Sequence, residues 1–322
     1  MKLNYNRLSI NETNRLKGLL IILIVFGHIS QLLQQYGSLH ATLYSFHVVA
    51  FFFLPFLFNK DILTIKSIKK NLKRIYIPYS IFFIISLVAF SIMQYHFDPI
   101  SALKSWAIGS SHYLKIDTGL RIFWFFPALF STILLIMLYN FLSKKLQKIY
   151  LILMLIAHIS IPFIPKSTLF LFPISSYIAL YLFTIGMVVK YIYEHLDYAK
   201  YSLQISILFI LSLLLSYGSD FSLASAIFPD NIFNFLLQDA VMILSFFTLV
   251  LWSKSIHFFE SFGRYSIAIF TIHPFIIQVI DKLYRWEGLT DGLMKFLLVI
   301  TLTYLITRLI YYFKINKILY PR

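Results

Sequence analysis

Nine histidines occur in the 322-residue chain, and four of them, His28, His47, His158 and His273, fall near the middle of long apolar runs. A neutral imidazole can take or deliver a proton near physiological pH, so histidines within a membrane point to proton chemistry or to a polar cavity. Ionisable groups in such surroundings are expensive and are functional candidates by default. The plainer reading of each is a neutral imidazole that bonds a neighbouring helix. For any single one of the four, the two readings weigh about equally.

His28 stands out by its spacing from two other polar residues. The eleven steps from Lys17 to His28, at about 100° each, bring the two within roughly 20° of one line on a helix. Asn14 lies about 40° from His28 on the other side, so Asn14, Lys17 and His28 form one polar stripe if the helix begins early enough. At 1.5 Å per residue His28 is about 16 Å deeper than Lys17, near the bilayer midplane. Arg15 points the opposite way. A cation leading inward to a buried imidazole suits an anionic cytosolic reactant whose reactive end reaches into the membrane; Lys17 alone also fits an ordinary flanking anchor.

Positioning such groups requires long helices, and the composition demands them. The chain is 59% hydrophobic and only 13% charged, with mean hydropathy +0.79. A soluble protein of this length carries roughly twice that charged fraction. Apolar runs of spanning length are predicted at Gly18–Tyr36, Ala41–Phe58, Ile75–Phe97, Ile122–Leu142, Ile149–Pro165, Ile174–Tyr193, Tyr201–Tyr217, Phe235–Ser253, Tyr265–Ile280 and Leu293–Phe313. The expected fold is therefore an all-α integral membrane protein, a single bundle of about ten transmembrane helices over residues 1–322. The polar start up to Gly18 shows no cleavage-site pattern, so the first apolar run reads as a spanning helix.

The net charge of +15 has a topological explanation. About 20 of the 28 Lys and Arg fall in segments on the side of the N-terminus, and about 7 (Lys104, Lys115, Arg121, Lys166, Lys282, Arg285 and Lys295) on the other. Basic residues accumulate on the cytoplasmic side, which places both termini in the cytoplasm. Nucleic acid is not an expected partner; the lipid bilayer is. With no cysteine, thiol nucleophiles, disulfides and Cys-ligated metals are excluded. No His-Glu-x-x-His motif or Asp-rich loop occurs either, so no metal site is expected.

Several segments carry a resemblance. Lys17-Gly18 through Gly27-His28 is similar to the first helix of the acyltransferase 3 family of bacterial integral-membrane O-acyltransferases, where a basic residue, ten intervening residues and a histidine recur; the Lys-Gly and Gly-His variants resemble its fucose 4-O-acetylase-like subgroup. In order along the chain, Phe46-His47 with Phe51-Phe52-Phe53 resembles the second helix, and Leu72-Lys73-Arg74-Ile75-Tyr76-Ile77-Pro78-Tyr79 the basic entry to the third. Phe123-Trp124-Phe125-Phe126-Pro127-Ala128-Leu129-Phe130 resembles the fourth. Phe183-Thr184-Ile185-Gly186-Met187, Phe262-Gly263-Arg264-Tyr265-Ser266 and His273-Pro274 match later signatures. The chain departs from the pattern at Asn14, where the family usually has Asp, at Lys17, where it has Arg, and at Pro55-Phe56, where it has Ser-Gly.

The resemblance implies a transmembrane acyltransferase-like domain over residues 1–322, in the bacterial cytoplasmic membrane. It implies transfer of an acetyl group from acetyl-CoA, a co-substrate and not a tightly bound cofactor, to a hydroxyl of a glycan or lipid-linked sugar. His28 is then the general base, with Lys17 beside it in the catalytic set. Asn14 and the basic group Lys70, Lys73 and Arg74, on the loop before the third span, are expected to hold the donor. His47, Arg121, Trp124 and His273 are expected to line the acceptor cavity, although Trp124 is also what an interfacial belt residue looks like. Asp239 and Asp281 could bind hydroxyls or be solvated. The competing reading is a polysaccharide exporter that uses the same cavity without chemistry; a glycan polymerase, which needs a large external catalytic loop, ranks third.

Overall fold

The cap that starts the first helix is already legible in Ser9-x-x-Glu12. In the computed structural model, which describes residues 7–33, 46–94, 97–164, 174–215, 221–225 and 227–321, the Glu12 N–H donates to the Ser9 hydroxyl and the Ser9 N–H donates to the Glu12 carboxylate at 2.7 Å. This reciprocal cap satisfies two of the orphan N–H groups of a helix start. It launches α1, Ile10–Gly27, eight residues before the predicted apolar run. The helices that follow are α2, Ser30–Leu33; α3, His47–Phe58; α4, Ile65–Gln94; α5, Pro99–Ile108; α6, Ser111–Thr118; and α7, Phe125–Phe141. After these come α8, Lys144–Ser160; α9, Ile174–His195; α10, Ser202–Leu215; α11, Ile232–Ser255; α12, Glu260–Arg264; α13, Ser266–Leu283; α14, Gly288–Tyr312; and α15, Asn316–Leu319.

Each predicted span overlaps a helix, but the first, Gly18–Tyr36, is broken between Gly27, where α1 ends, and Ser30, where α2 begins. Seven helical segments among the described residues are long and apolar enough to cross a membrane, and α3 and α10 are shorter apolar helices. No strand occurs among the described residues, only one isolated bridge between Ser222 and Ile227. The chain is an all-α integral membrane protein. Tyr36, residues 41–45 and Pro165, which belong to predicted spans, lie outside the described residues.

Contacts divide the chain into two compact units. The first takes residues up to Phe51, then Val189–Phe221 and Phe233–Lys314. Its tightest crossing is between α1 and α12. A Cβ on Gly18 would run into the carbonyl oxygen of Phe259, and one on Gly263 into that of Asn14. The two glycines face each other's backbones, an arrangement that membrane helices use where packing, rather than the hydrophobic effect, must hold them together.

The second unit takes Phe52–Val188, Ser222–Ile232 and Ile315–Arg322. Phe56, Ile136, Met154 and Phe183 form a buried cluster there, and Gly186 leaves room for the Phe56 ring. The segment Asp98–Arg121, expected as an external loop, holds the two helices α5 and α6. Asp98 caps α5 through the Ile100 and Ser101 N–H groups, and Gly109 and Gly119 end the pair with φ of 62° and 67°. Asp117 accepts from Ser101 and Ser105 and so ties α6 to α5. The Tyr79 hydroxyl of α4 donates to the Trp106 carbonyl at 2.8 Å, anchoring the hairpin to a long helix.

The crossing of α1 and α12 yields a graded expectation. Gly263→Ala must push two backbones apart and should cost about 3 kcal/mol, the upper end of overpacking penalties. Gly288→Ala meets nothing within 4 Å and carries only the strain of φ +77°, about 1 kcal/mol. Thermal unfolding in detergent should rank Gly263→Ala clearly below Gly288→Ala; equal midpoints would contradict the close crossing.

Candidate active site

Because α1 begins at Ile10, Asn14, Lys17 and His28 are carried by the same helix, with His28 as its closing cap. His28 is not in mid-helix as expected. The chain turns after Gly27 and restarts at Ser30. The His28 ring helps close that end: its Nδ1 lies 2.7 Å from the Ile24 carbonyl oxygen, one turn back. A carbonyl can only accept, so Nδ1 carries a proton.

His273 repeats this arrangement on α13. Its Nδ1 donates to the Ile269 carbonyl at 3.0 Å, and its ring centroid is 5.1 Å from that of His28, tilted by 60°. His273 is 0% exposed, and its Nε2 has no hydrogen-bond partner among the described residues. Pro274 follows it inside the helix and removes the N–H that would reach the Phe270 carbonyl. Edge-to-face packing of Phe26 on Phe296 at 5.5 Å holds α1 against α14 next to this pair. Two imidazoles are thus brought together from helices remote in sequence, each ring oriented by its own backbone.

The other two histidines differ. His47 is buried and is the first residue of α3. His158 stacks on Tyr181 at 5.1 Å and 14°, with Nδ1 donating to the Tyr181 carbonyl at 3.0 Å. It follows the plainer reading, an imidazole that bonds a neighbouring helix.

At the other end of α1, Arg15 sits within an ion-pair network. Its Nε is 3.6 Å from Glu260, its Nη1 donates to the Lys254 carbonyl at 3.1 Å, and Glu260 also meets Arg264 at 3.6 Å. Burial works to raise the pKa of Glu12 nearby, but hydrogen bonds from Ser9 and the charges of Lys254 and Arg15 outweigh it and hold the carboxylate below its usual range. Asn14 and Lys17, on the neighbouring face of α1, are half-buried.

In the second unit, Lys70, Lys73 and Arg74 are not on a loop. Thr64 accepts from the Ser67 N–H at 3.2 Å as a helix cap, and no Gly or Pro intervenes before Pro78, so α4 runs straight through the basic group. Lys70 is paired with Asp61 at 2.9 Å, while Lys73 and Arg74 are exposed. Arg121 is exposed too, but Trp124, in the turn before α7, is only 8% exposed, and its ring stacks on Phe52 at 6.0 Å and 21°. The open aromatic face expected there is covered.

The sequence reading passed over Lys295. It is the third residue of the predicted span Leu293–Phe313 and reads as an outer flanking cation, yet it is fully buried and bound to Asp281 and Gln31. The available signal was a lysine inside an apolar run, with an acid at the end of the preceding run. Among the described residues, no group of three or more His, Asp or Glu is disposed to hold a metal ion.

The model of the acyltransferase 3 family, an acyltransferase domain, matches residues 10–312. No curated protein and no solved structure gives a match. The match runs from the first residue of α1 to the last of α14 and so takes in the histidine pair and the basic group Lys70, Lys73 and Arg74.

The contrast between the histidines can be measured. His158→Ala loses a stack and a buried hydrogen bond and should lower stability by about 1–3 kcal/mol, while acyl transfer per folded molecule stays within about twofold of the parent. A folded His158→Ala protein with no transfer activity would contradict its structural role.

Proposed function

Because the chain belongs to the acyltransferase 3 family, we propose that this multi-pass membrane acyltransferase is an O-acetyltransferase of the bacterial cytoplasmic membrane. It moves acetyl from cytosolic acetyl-CoA to a hydroxyl of a lipid-linked sugar destined for a surface polysaccharide. The observation that carries the reading is the histidine pair, in which the Nδ1 of His28 and of His273 is committed to a backbone carbonyl.

Alcoholysis of a thioester needs a base for the hydroxyl and a carrier for its proton. The Nε2 of His28 takes the proton as the hydroxyl oxygen attacks the acetyl carbonyl. The tetrahedral adduct collapses with loss of the CoA thiolate, which receives the proton from the His28 imidazolium and leaves as the thiol. One proton has passed from oxygen to sulfur, one ester bond has formed, and one thioester bond has broken. The Nδ1–H bond to Ile24 keeps the ring oriented throughout, as the third member of a triad does for its histidine. His273 lines the same space.

Lys17, about 16 Å away along α1, faces the cytosolic end and supports the donor's anionic portion together with Asn14. Lys73 and Arg74 are the exposed cations of the basic group assigned to the donor phosphates, and Arg suits phosphate well. Lys70 contributes less, since Asp61 already compensates its charge. Arg121 and His47 stay with the acceptor side of the proposal.

Membranes supplied with labelled acetyl-CoA test this reading. His28→Ala should reduce acetyl incorporation into polymer by about 10²–10⁴-fold, the usual worth of a general base, with the polymer itself still made. Unchanged acetylation contradicts the assignment, and loss of the polymer itself would favour export.

A further inference from the structure

A lysine ammonium inside a membrane protein needs a counter-charge, and Lys295 has one. Its Nζ lies 2.5 Å from Asp281 Oδ1 and 3.0 Å from Gln31 Oε1. Three elements meet there: α2, the end of α13 and the start of α14. Gly292 permits the meeting, since a Cβ at that position would come within 2.9 Å of the Leu32 side chain and 3.2 Å of Gln31 Cβ. One turn further along α14, Lys295 then reaches Gln31.

The pair is lopsided. The Lys295 side chain is 1% exposed, whereas that of Asp281 is 43% exposed. The ammonium is sealed in, and the carboxylate stands at the rim with lone pairs beyond those its counter-ion uses. Two aromatic rings follow in the segment after α13. The Trp286 Nε1–H donates to the Ile280 carbonyl at 3.3 Å, which ties the indole to the backbone of the residue before Asp281, and the Tyr284 ring packs against it at 4.7 Å.

Gln31 is three residues beyond His28, past the turn that ends α1, and Asp281 is eight beyond His273 along α13, about 12 Å. Lys295 touches both, so the cluster lies on the side of the histidine pair away from Lys17. A carboxylate to accept from hydroxyls, a carboxamide to donate and fixed aromatic faces for C–H groups are together the chemistry that recognises a hydroxylated ring. Lys295 is matched by Asp281 and Arg285 by Glu287, and the carboxylate at the rim itself disfavours an acidic ligand.

We propose that Asp281, held by Lys295, which Gln31 also binds, and followed by Tyr284 and Trp286, is a binding subsite for an uncharged sugar ring. This deepens the acyl-transfer reading by naming the acceptor class, and rests on it for the link to His28. A purely structural tether between α2, α13 and α14 is the rival, and a charge swap separates the two. Asp281→Lys combined with Lys295→Asp keeps the ion pair but puts an ammonium at the rim.

The test is direct binding to the full chain in lipid nanodiscs, followed by tryptophan fluorescence. The probes are the methyl glycosides of glucose, galactose and mannose, with methyl glucuronide as the acidic counterpart. At least one neutral glycoside should give a saturable change that Trp286→Phe abolishes, with the glucuronide weaker by about tenfold or more. Asp281→Asn should weaken the neutral glycoside by a similar factor. The charge-swapped protein should recover the parent unfolding midpoint but not the binding. No saturable change with any neutral glycoside overturns the proposal. So does equal binding of the glucuronide, a change that survives Trp286→Phe, or parent-like binding by Asp281→Asn or by the charge-swapped protein. The assay uses no donor, so it reads sugar binding apart from acetyl transfer. If acetyl transfer fails while Asp281-dependent binding persists, only the acyl-transfer reading is lost.

Discussion

An imidazole taken out of water still has an N–H to satisfy, and His28 and His273 each satisfy it with the carbonyl one turn back on their own helix. That bond puts a proton on Nδ1 and turns the ring. Other features around the pair support it. The end of α1 after Gly27 lets the His28 ring fold back on Ile24. Pro274 interrupts the ladder next to His273, which membrane helices tolerate where the backbone lines a cavity. The contacts of α1 with α12, α13 and α14 bring the two rings to 5.1 Å. The proposed chemistry needs no group beyond what this geometry supplies, since one nitrogen of His28 can carry the proton from alcohol to thiolate.

Charge is handled differently at the two ends of this unit. Near the start of α1, the half-buried Arg15 is paired with Glu260, and Glu12 is held ionised by its cap and by neighbouring cations. Beyond the histidines, Lys295 is buried outright and closed off by Asp281. A chain with 28 cations and only 13 acids spends two of those acids, Glu260 and Asp281, on compensating cations of this unit. In the second unit, Asp61 does the same for Lys70, and Asp117 braces α5 against α6. These acids mark where a cation has a fixed position, whereas Lys73, Arg74 and Arg121 are exposed.

Much of this was legible in the residues. Long apolar runs located the helices because a membrane helix must satisfy its own backbone and cover itself with apolar side chains, and both demands are written locally. The Asn14–Lys17–His28 stripe was readable for the same reason, since spacing along one helix is a local property. What escaped was set by tertiary contact or by capping. The pairing of His28 with His273 joins residues 245 positions apart. The helical state of Lys70, Lys73 and Arg74 depended on the Thr64 cap and not on hydropathy, which is low across that turn. Trp124 looked like an interfacial ring, but Phe52 covers it. Lys295 was hidden because a flanking lysine and a buried one look alike until the partner, Asp281, is brought to it.

The histidine pair can be examined without substrates. Nitrogen-15 NMR of histidine-labelled protein in bilayers, assigned with His28→Gln and His273→Gln, reports which ring nitrogen carries the proton. Near neutral pH both residues should show a protonated Nδ1 bonded to a carbonyl and an unprotonated Nε2. A proton on Nε2 of His28, with Nδ1 bare, would contradict the geometry from which its role as base is drawn.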